Sequence, residues 1–173
     1  PGSRYLGSQE RFLWRYKYNY SNRVSASLIF EKDAGEYFFK GDKQFLFDFQ
    51  TAHVAIYNTG KFKKIVVGDY SLQFGQGLTL WTGFSFGKAP DVASVAKKDV
   101  GLRAYTSANE YAFLRGVATT IAVTKRIDFT PFFSLRKLDA SLDIDENGEQ
   151  VLANLNETGY HRTTTEIKNR NSV

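Results

Sequence analysis

From Gln9 to Tyr20 the chain alternates with a period of two. Phe12, Trp14, Tyr16, Tyr18 and Tyr20 take every second position, with Arg11, Leu13, Arg15, Lys17 and Asn19 between them. Successive side chains of a strand leave opposite faces, so this is a strand with one aromatic face and one mostly basic, polar face. Soluble sheets usually bury aliphatic residues and mix both charge signs outside. Rings on one face and cations on the other fit a membrane-spanning barrel, with rings toward lipid and charges toward a wet lumen.

The same reading finds further strands. In Arg23–Glu31, Val24, Ala26, Leu28 and Phe30 face one way and Arg23, Ser25, Ser27 and Glu31 the other, with Ile29 breaking the rule. A third strand falls near Gln44–Tyr57, where Phe45, Phe47 and Phe49 oppose Leu46, Asp48 and Gln50, the alternation fading by Ala55. Asn58-Thr59-Gly60 is a tight-turn signal before a fourth strand, Lys61–Asp69. Phe113–Lys125 alternates less cleanly, and Ile127–Leu135 puts Ile127, Phe129, Phe133 and Leu135 on one face. Pro131 on that face removes a ladder donor and marks an edge, bulge or strand end.

Short turns at Ser21-Asn22, Asn58–Gly60 and near Arg126 alternate with long connections at Lys32–Lys43, Tyr70–Tyr111 and everything after Lys137. Outer-membrane barrels are built this way. The expected fold is therefore all-β: one domain over residues 1–173, an antiparallel barrel of outer-membrane type or a part of one. Residues 70–111 are expected as a plug or wall segment and 138–173 as a long loop or cap. Three hairpins fall short of the roughly eight strands a closed membrane barrel needs. Either the long connections contribute strands or part of the barrel is elsewhere. Between Phe74 and Gly87 one strand face would carry Gly75, Gly77, Gly83 and Gly87. Such a face either lets another backbone pack closely or eases curvature.

Composition adds three constraints. Aromatics make up 16% of the 173 residues (15 Phe, 10 Tyr and 2 Trp), which favours strands and water–lipid boundaries. No apolar run approaches the roughly 20 residues a spanning helix requires, a test that strands escape. Cysteine is absent, which excludes disulfides, thiolate metal sites and cysteine nucleophiles. Net charge is +5 and the pI near 9.3, compatible with a basic lumen, anionic headgroups or nucleic acid. With no Met and an opening Pro1-Gly2-Ser3, the chain reads as a processed protein or a piece of a larger one.

Candidate chemistry is sparse. The histidines are His53 and His161. His53 lacks the Ser two residues on that an outer-membrane phospholipase would want, and His161 has only Arg162 and Thr163 beside it. Both read as structural, and the expectation is no enzyme and no cofactor. Asp143, Asp145 and Asn147 with Gly148 open like a calcium loop, but Asn154 stands where a bidentate Glu should close it; Asn147-Gly148 is equally a hairpin turn. Gly87-Lys88 lacks phosphate-loop spacing, and Gly75/Gly77 has no following helix signal. Nucleic acid is disfavoured because rings and cations of the first strand point apart, and Lys61, Lys63 and Lys64 read as a solvated strand end. Arg103, Glu110 and Arg115 are candidates, with Arg11, Arg15 and Lys17, for a lumenal charged lining; Phe12, Trp14, Tyr16, Tyr18 and Tyr20 are candidates for the lipid face.

Several segments carry a family resemblance. Gly68-Asp69-Tyr70, Phe74-Gly75-Gln76-Gly77-Leu78, Phe84-Ser85-Phe86-Gly87-Lys88, Tyr105-Thr106-Ser107, Phe113-Leu114-Arg115-Gly116 and Gly159-Tyr160-His161-Arg162-Thr163 lie in order along nearly the whole chain. With Tyr5-Leu6-Gly7-Ser8 and Glu31-Lys32-Asp33-Ala34-Gly35-Glu36, they resemble a Bacteroidota family of helix-hairpin-helix domain-containing proteins. The resemblance implies an outer-membrane β-barrel in a Gram-negative cell and assigns no reaction or ligand. Its members are several times longer, with an amino-terminal helix-hairpin-helix region not visible here. The functional expectation is a non-enzymatic barrel component for transport, conduit or assembly. Its partners would be outer-membrane lipid and, with it, other envelope proteins or the remainder of a larger chain. The alternative is a soluble β-barrel or sandwich that binds a ligand or protein and packs the Trp14 face into a core; an outer-membrane hydrolase is the third reading.

Overall fold

The structure, a computed structural model, describes residues 5–37, 47–77, 80–82, 99–145, 148–170 and 172–173. Its main body is one antiparallel sheet. β1 (Phe12–Tyr20), β2 (Val24–Lys32), β3 (Phe49–Thr59), β4 (Phe62–Gln73) and β6 (Leu114–Ala122) lie side by side. β5 (Gly101–Ala104) pairs with β4, while β7 (Asp128–Phe129) and β8 (Phe132–Ser134) pair with β6. Ile121↔Phe129 and Val117↔Phe133 share one register, so β7 and β8 are a single edge strand interrupted at Pro131. That is where a residue with no amide proton belongs. β5 takes the edge of β4 that β3 leaves after Gly68.

Among the described residues the sheet has six lateral strand positions and does not close. β1 at one side and β7/β8 at the other keep an unpaired edge among the described residues. The fold is thus all-β and antiparallel, and closure into a barrel is not seen.

The local causes are legible. Ser21 and Asn22 both have positive φ, with Arg23 N–H donating to Tyr20 O at 2.9 Å, which is the mirror-image turn that suits strand twist. The β3–β4 hairpin closes one residue later than the sequence reading, at Gly60-Lys61, because Thr59 still pairs with Phe62. Thr124 Oγ1 accepts from the Arg126 and Ile127 amides and forms the third turn. These three turns share one end of the sheet; the long connections leave from the other.

Other boundaries need correction. β3 starts at Phe49, not Gln44; residues 44–46 lie outside the described set, and Phe47 and Asp48 precede the strand. Its alternation does not fade at Ala55 but continues outward through Ile56. Tyr70–Gln73 belongs to β4 rather than to a separate excursion. Residues 138–173 are not simply a loop. They hold a second small sheet, β9 (Ala140–Ile144) with β10 (Gln150–Leu155), and a one-turn helix α1 (Thr164–Lys168). Thr163 and Glu166 cap α1 reciprocally.

Gly68 has φ +101 and lies opposite Gly116, and a Cβ on either would collide with a neighbouring strand's carbonyl oxygen. Here, and not on the expected glycine face, glycine permits close strand approach. Gly75 has φ +57 with open space around it, and Gly77 sits in the same turn at φ +77. Both therefore serve backbone reversal; Gly83 and Gly87 lie outside the described residues. Beyond Gly68, Tyr70 and Leu72 pack with Leu102, Ala104, Ala55, Val66 and Ala118 as the main core. Phe49, Tyr105 and Phe113 form a second cluster at the long-connection end.

Candidate functional site

Two neighbouring cross-strand rows define the two faces of the sheet. One runs Tyr18–Ala26–Val54–Val67–Val117–Phe133 through all six positions. Apart from Ala26, which is partly covered, its members are about half exposed or more, Val67 at 52% and Phe133 at 66%. The next row, one residue along, runs Lys17–Ser27–His53–Gly68–Gly116–Ser134. Within it Ser27 is 3% and His53 5% exposed. Between these two rows burial runs opposite to hydropathy, valines facing out while serine and histidine are covered, although the next covered row, Ala55–Val66–Ala118, is apolar. The exposed face extends over Phe12, Trp14, Tyr16 and Tyr20 on β1 and Phe129 and Leu135 at the far edge. Trp14 stacks on Phe30 at 5.5 Å between ring centres, so the rings form a surface instead of filling a core.

The opposite face carries both the buried apolar core around Ala55, Val66, Tyr70 and Ala118 and a set of charged side chains. Arg11 lies near the long-connection end and pairs with Glu31, its Nε standing 3.0 Å from Asp33 Oδ1. Arg15 and Lys17 leave β1 on the side away from the rings, Lys17 toward His53. The expected Arg103–Glu110–Arg115 network does not form, because chain topology sends the three residues to three places. Arg115 holds Asp69 at 2.7 Å and the Gln50 carbonyl at 2.8 Å. Arg103 borders a hollow with Lys64 and Lys17, and Glu110 is half-buried in the cap at the long-connection end.

That cap is organised by His161. Its Nδ1 lies 2.5 Å from Asp48 Oδ2 and its Nε2 2.7 Å from Asp139 Oδ2, while its amide donates to Glu36 Oε1 at 2.9 Å. Arg170 holds the other Asp48 oxygen at 2.6 Å. Burial alone lowers the imidazole's pKa, but hydrogen bonds and charge from Asp139 and Asp48 outweigh it and raise it to about 10. The ring is an imidazolium clamped between two carboxylates. Burial, and then the charge of Asp48, push the Glu110 carboxyl up to about 9, and the same causes raise Glu36. Glu36, Asp48 and His161 stand close enough to share a cation, yet both ring nitrogens and both Glu36 oxygens are already occupied by hydrogen bonds. Four chain segments meet at this clamp. Both His161 ring nitrogens are held by carboxylates in it.

Sequence reading missed the clamp because His161 lies 113 residues from Asp48 and 22 from Asp139. The Thr163-x-x-Glu166 pattern was the one local signal of an ordered segment there. Asp145 spends its carboxylate on the turn it opens: Oδ1 accepts from Glu149 N–H, and its backbone pairs with Glu149 and Gly148. Asp143 Oδ1 accepts from the Ile144 amide, and Asn147 lies outside the described residues. The hairpin accounts for this segment. No helix among the described residues is long and apolar enough to cross a membrane, which leaves strands untested. No protein-family model, curated protein or solved structure matches the chain.

Proposed function

We propose that this chain forms part of the wall of an outer-membrane β-barrel in a Gram-negative bacterium, a non-enzymatic component for transport, conduit or assembly. The observation that carries the reading is the apolar row from Tyr18 to Phe133, exposed at every strand position but Ala26 while the adjacent row is polar. In water such a surface would be an extended apolar patch; in a bilayer it faces its solvent. Strand lengths agree, with 9 residues in β1, β2 and β6, 11 in β3 and 12 in β4. A tilted spanning strand needs about 9–11. Short turns at one end and long connections at the other support the same orientation logic.

The unpaired edges of β1 and β7/β8 need partners, since a spanning sheet cannot leave backbone groups in lipid. On this reading further strands, from a longer chain or from other envelope proteins, complete the wall. A soluble sandwich would have to cover Trp14, Tyr16 and Tyr18, each about half exposed, with a second layer. Flotation tests the proposal. The refolded protein is expected to rise with phosphatidylcholine vesicles in a density gradient and to aggregate in plain buffer; a monodisperse species in detergent-free buffer would overturn it.

A further inference from the structure

On the polar face, between β1–β4 and β5, lies a hollow of about 480 Å³. Among the described residues three cations border it, Lys17, Lys64 and Arg103, and no acidic side chain does. Lys64 donates to the Leu102 carbonyl and lies 5.9 Å over the Tyr57 ring, while Arg103 repels it. Lys17 and Arg103 have no ion-pair partner among the described residues. This contrasts with Arg11, Arg115 and Arg170, each paired with an aspartate or glutamate. Uncompensated positive charge gathered in one concavity attracts an anion.

An independent observation specifies the ligand further. Ser27 Oγ and His53 Nδ1 are both buried, both residues border this hollow, and neither atom has a hydrogen-bond partner among the described residues. Buried polar atoms left unpaired are costly, and two side by side in a cross-strand pair mark a place a ligand fills. His53 Nδ1 can accept from a hydroxyl when the ring is neutral with its proton on Nε2. The cations ask for a phosphate or similar oxyanion, and Ser27 and His53, lining the same hollow, ask for hydroxyl groups on the same ligand.

We propose that this hollow is a binding site for a small phosphate-bearing polyol, of the chemical class of sugar phosphates. Arg103, Lys17 and Lys64 hold the phosphate, and Ser27 and His53 read the hydroxyls. The site goes beyond the wall reading, since it lies on the face away from the rings and stands whether or not those rings meet lipid.

Calorimetric titration of the refolded full chain in zwitterionic micelles tests it, with glucose 6-phosphate as probe and glucose, inorganic phosphate and lysophosphatidic acid as comparisons. Glucose 6-phosphate is expected to bind more tightly than any of the three. Arg103→Gln and Lys17→Gln should each weaken it about tenfold or more, whereas Lys63→Gln, paired with Asp128 near the turn end, should leave it unchanged. Ser27→Ala should weaken glucose 6-phosphate but not inorganic phosphate. Lys17 is an exposed edge residue, so its variant decides the matter if Arg103→Gln does not fold. Equal binding of glucose, tighter binding of lysophosphatidic acid, unchanged affinity in the Lys17 variant, or no binding up to about 10 mM would overturn the proposal.

Discussion

Placing an arginine in the exposed row separates water from lipid more sharply than any deletion. Val67 lies five residues into β4 from Phe62 and is flanked by Val54 and Val117, both about half exposed. Five residues span about 17 Å along a strand, or about 13 Å of height at a tilt near 40°, half of an apolar band about 25 Å tall. Val67→Arg therefore puts a guanidinium near the bilayer midplane, at a cost of about 2–4 kcal/mol. In water the same half-exposed position would accept arginine within about 0.5–1 kcal/mol. Thr59→Arg, exposed beside the turn and on the face away from the valine row, should cost under about 1 kcal/mol because the side chain stays in water. The assay is guanidinium chloride unfolding in phosphatidylcholine vesicles, followed by fluorescence of the two tryptophans, Trp14 and Trp81. Equal and small costs at Val67 and Thr59 would refute the reasoning, because they would put the Val67 row in water.

Three more outcomes follow from the cap and the strand crossing. His161→Gln removes the positive partner of two carboxylates and should destabilise the cap by roughly 3–5 kcal/mol, read as loss of protection in hydrogen exchange over residues 157–170 with the β1–β4 amides unaffected. Cap stability should fall as pH rises. The His161 pKa, raised from about 6.5 to about 10, gives stability that is complete below 6.5 and lost toward 10; Glu110, raised from 4.5 to about 9, stays protonated in the folded cap while its unfolded form ionises, so it acts in the same direction. Exchange at the His161 amide, corrected for intrinsic rate, should show opening that increases between pH 6.5 and 9, less steeply in Glu110→Gln; protection that grows over this range would contradict the assignment. Gly68→Ala should cost about 2 kcal/mol or more in the unfolding assay, since its Cβ meets the Ala52 carbonyl at a positive φ; a neutral effect would show that the strands do not approach so closely there.

What the sequence disclosed was two-faced strands and their turns, because period-two patterning is a local property. Tyr16 and Lys17 differ in face by being neighbours, and Ser21-Asn22 reverses the chain with its own backbone. The edge role of Pro131 was legible for the same reason: it cannot donate to a ladder. Whatever depended on long-range pairing was not. Residues 22 to 125 apart build the His161 clamp, and the Ser27–His53 pair comes from registering β2 on β3. For Gly75 and Gly77 the strand reading gives way to a turn, because alternating glycines fit both equally well and these two took the positive φ of a turn. Arg103, Glu110 and Arg115 were near in sequence, yet β5, the connection after it and β6 carry them apart.

The absence of native cysteine allows the central claim to be tested directly with single spin labels. Labels at Trp14→Cys, Val67→Cys and Phe133→Cys in vesicles are expected to relax strongly with dissolved oxygen and weakly with a water-soluble nickel chelate, and labels at Lys17→Cys and Ser25→Cys the reverse. Nickel accessibility that is high and equal on both sets would mean that the aromatic and valine surface is bathed in water, and the wall assignment would fail.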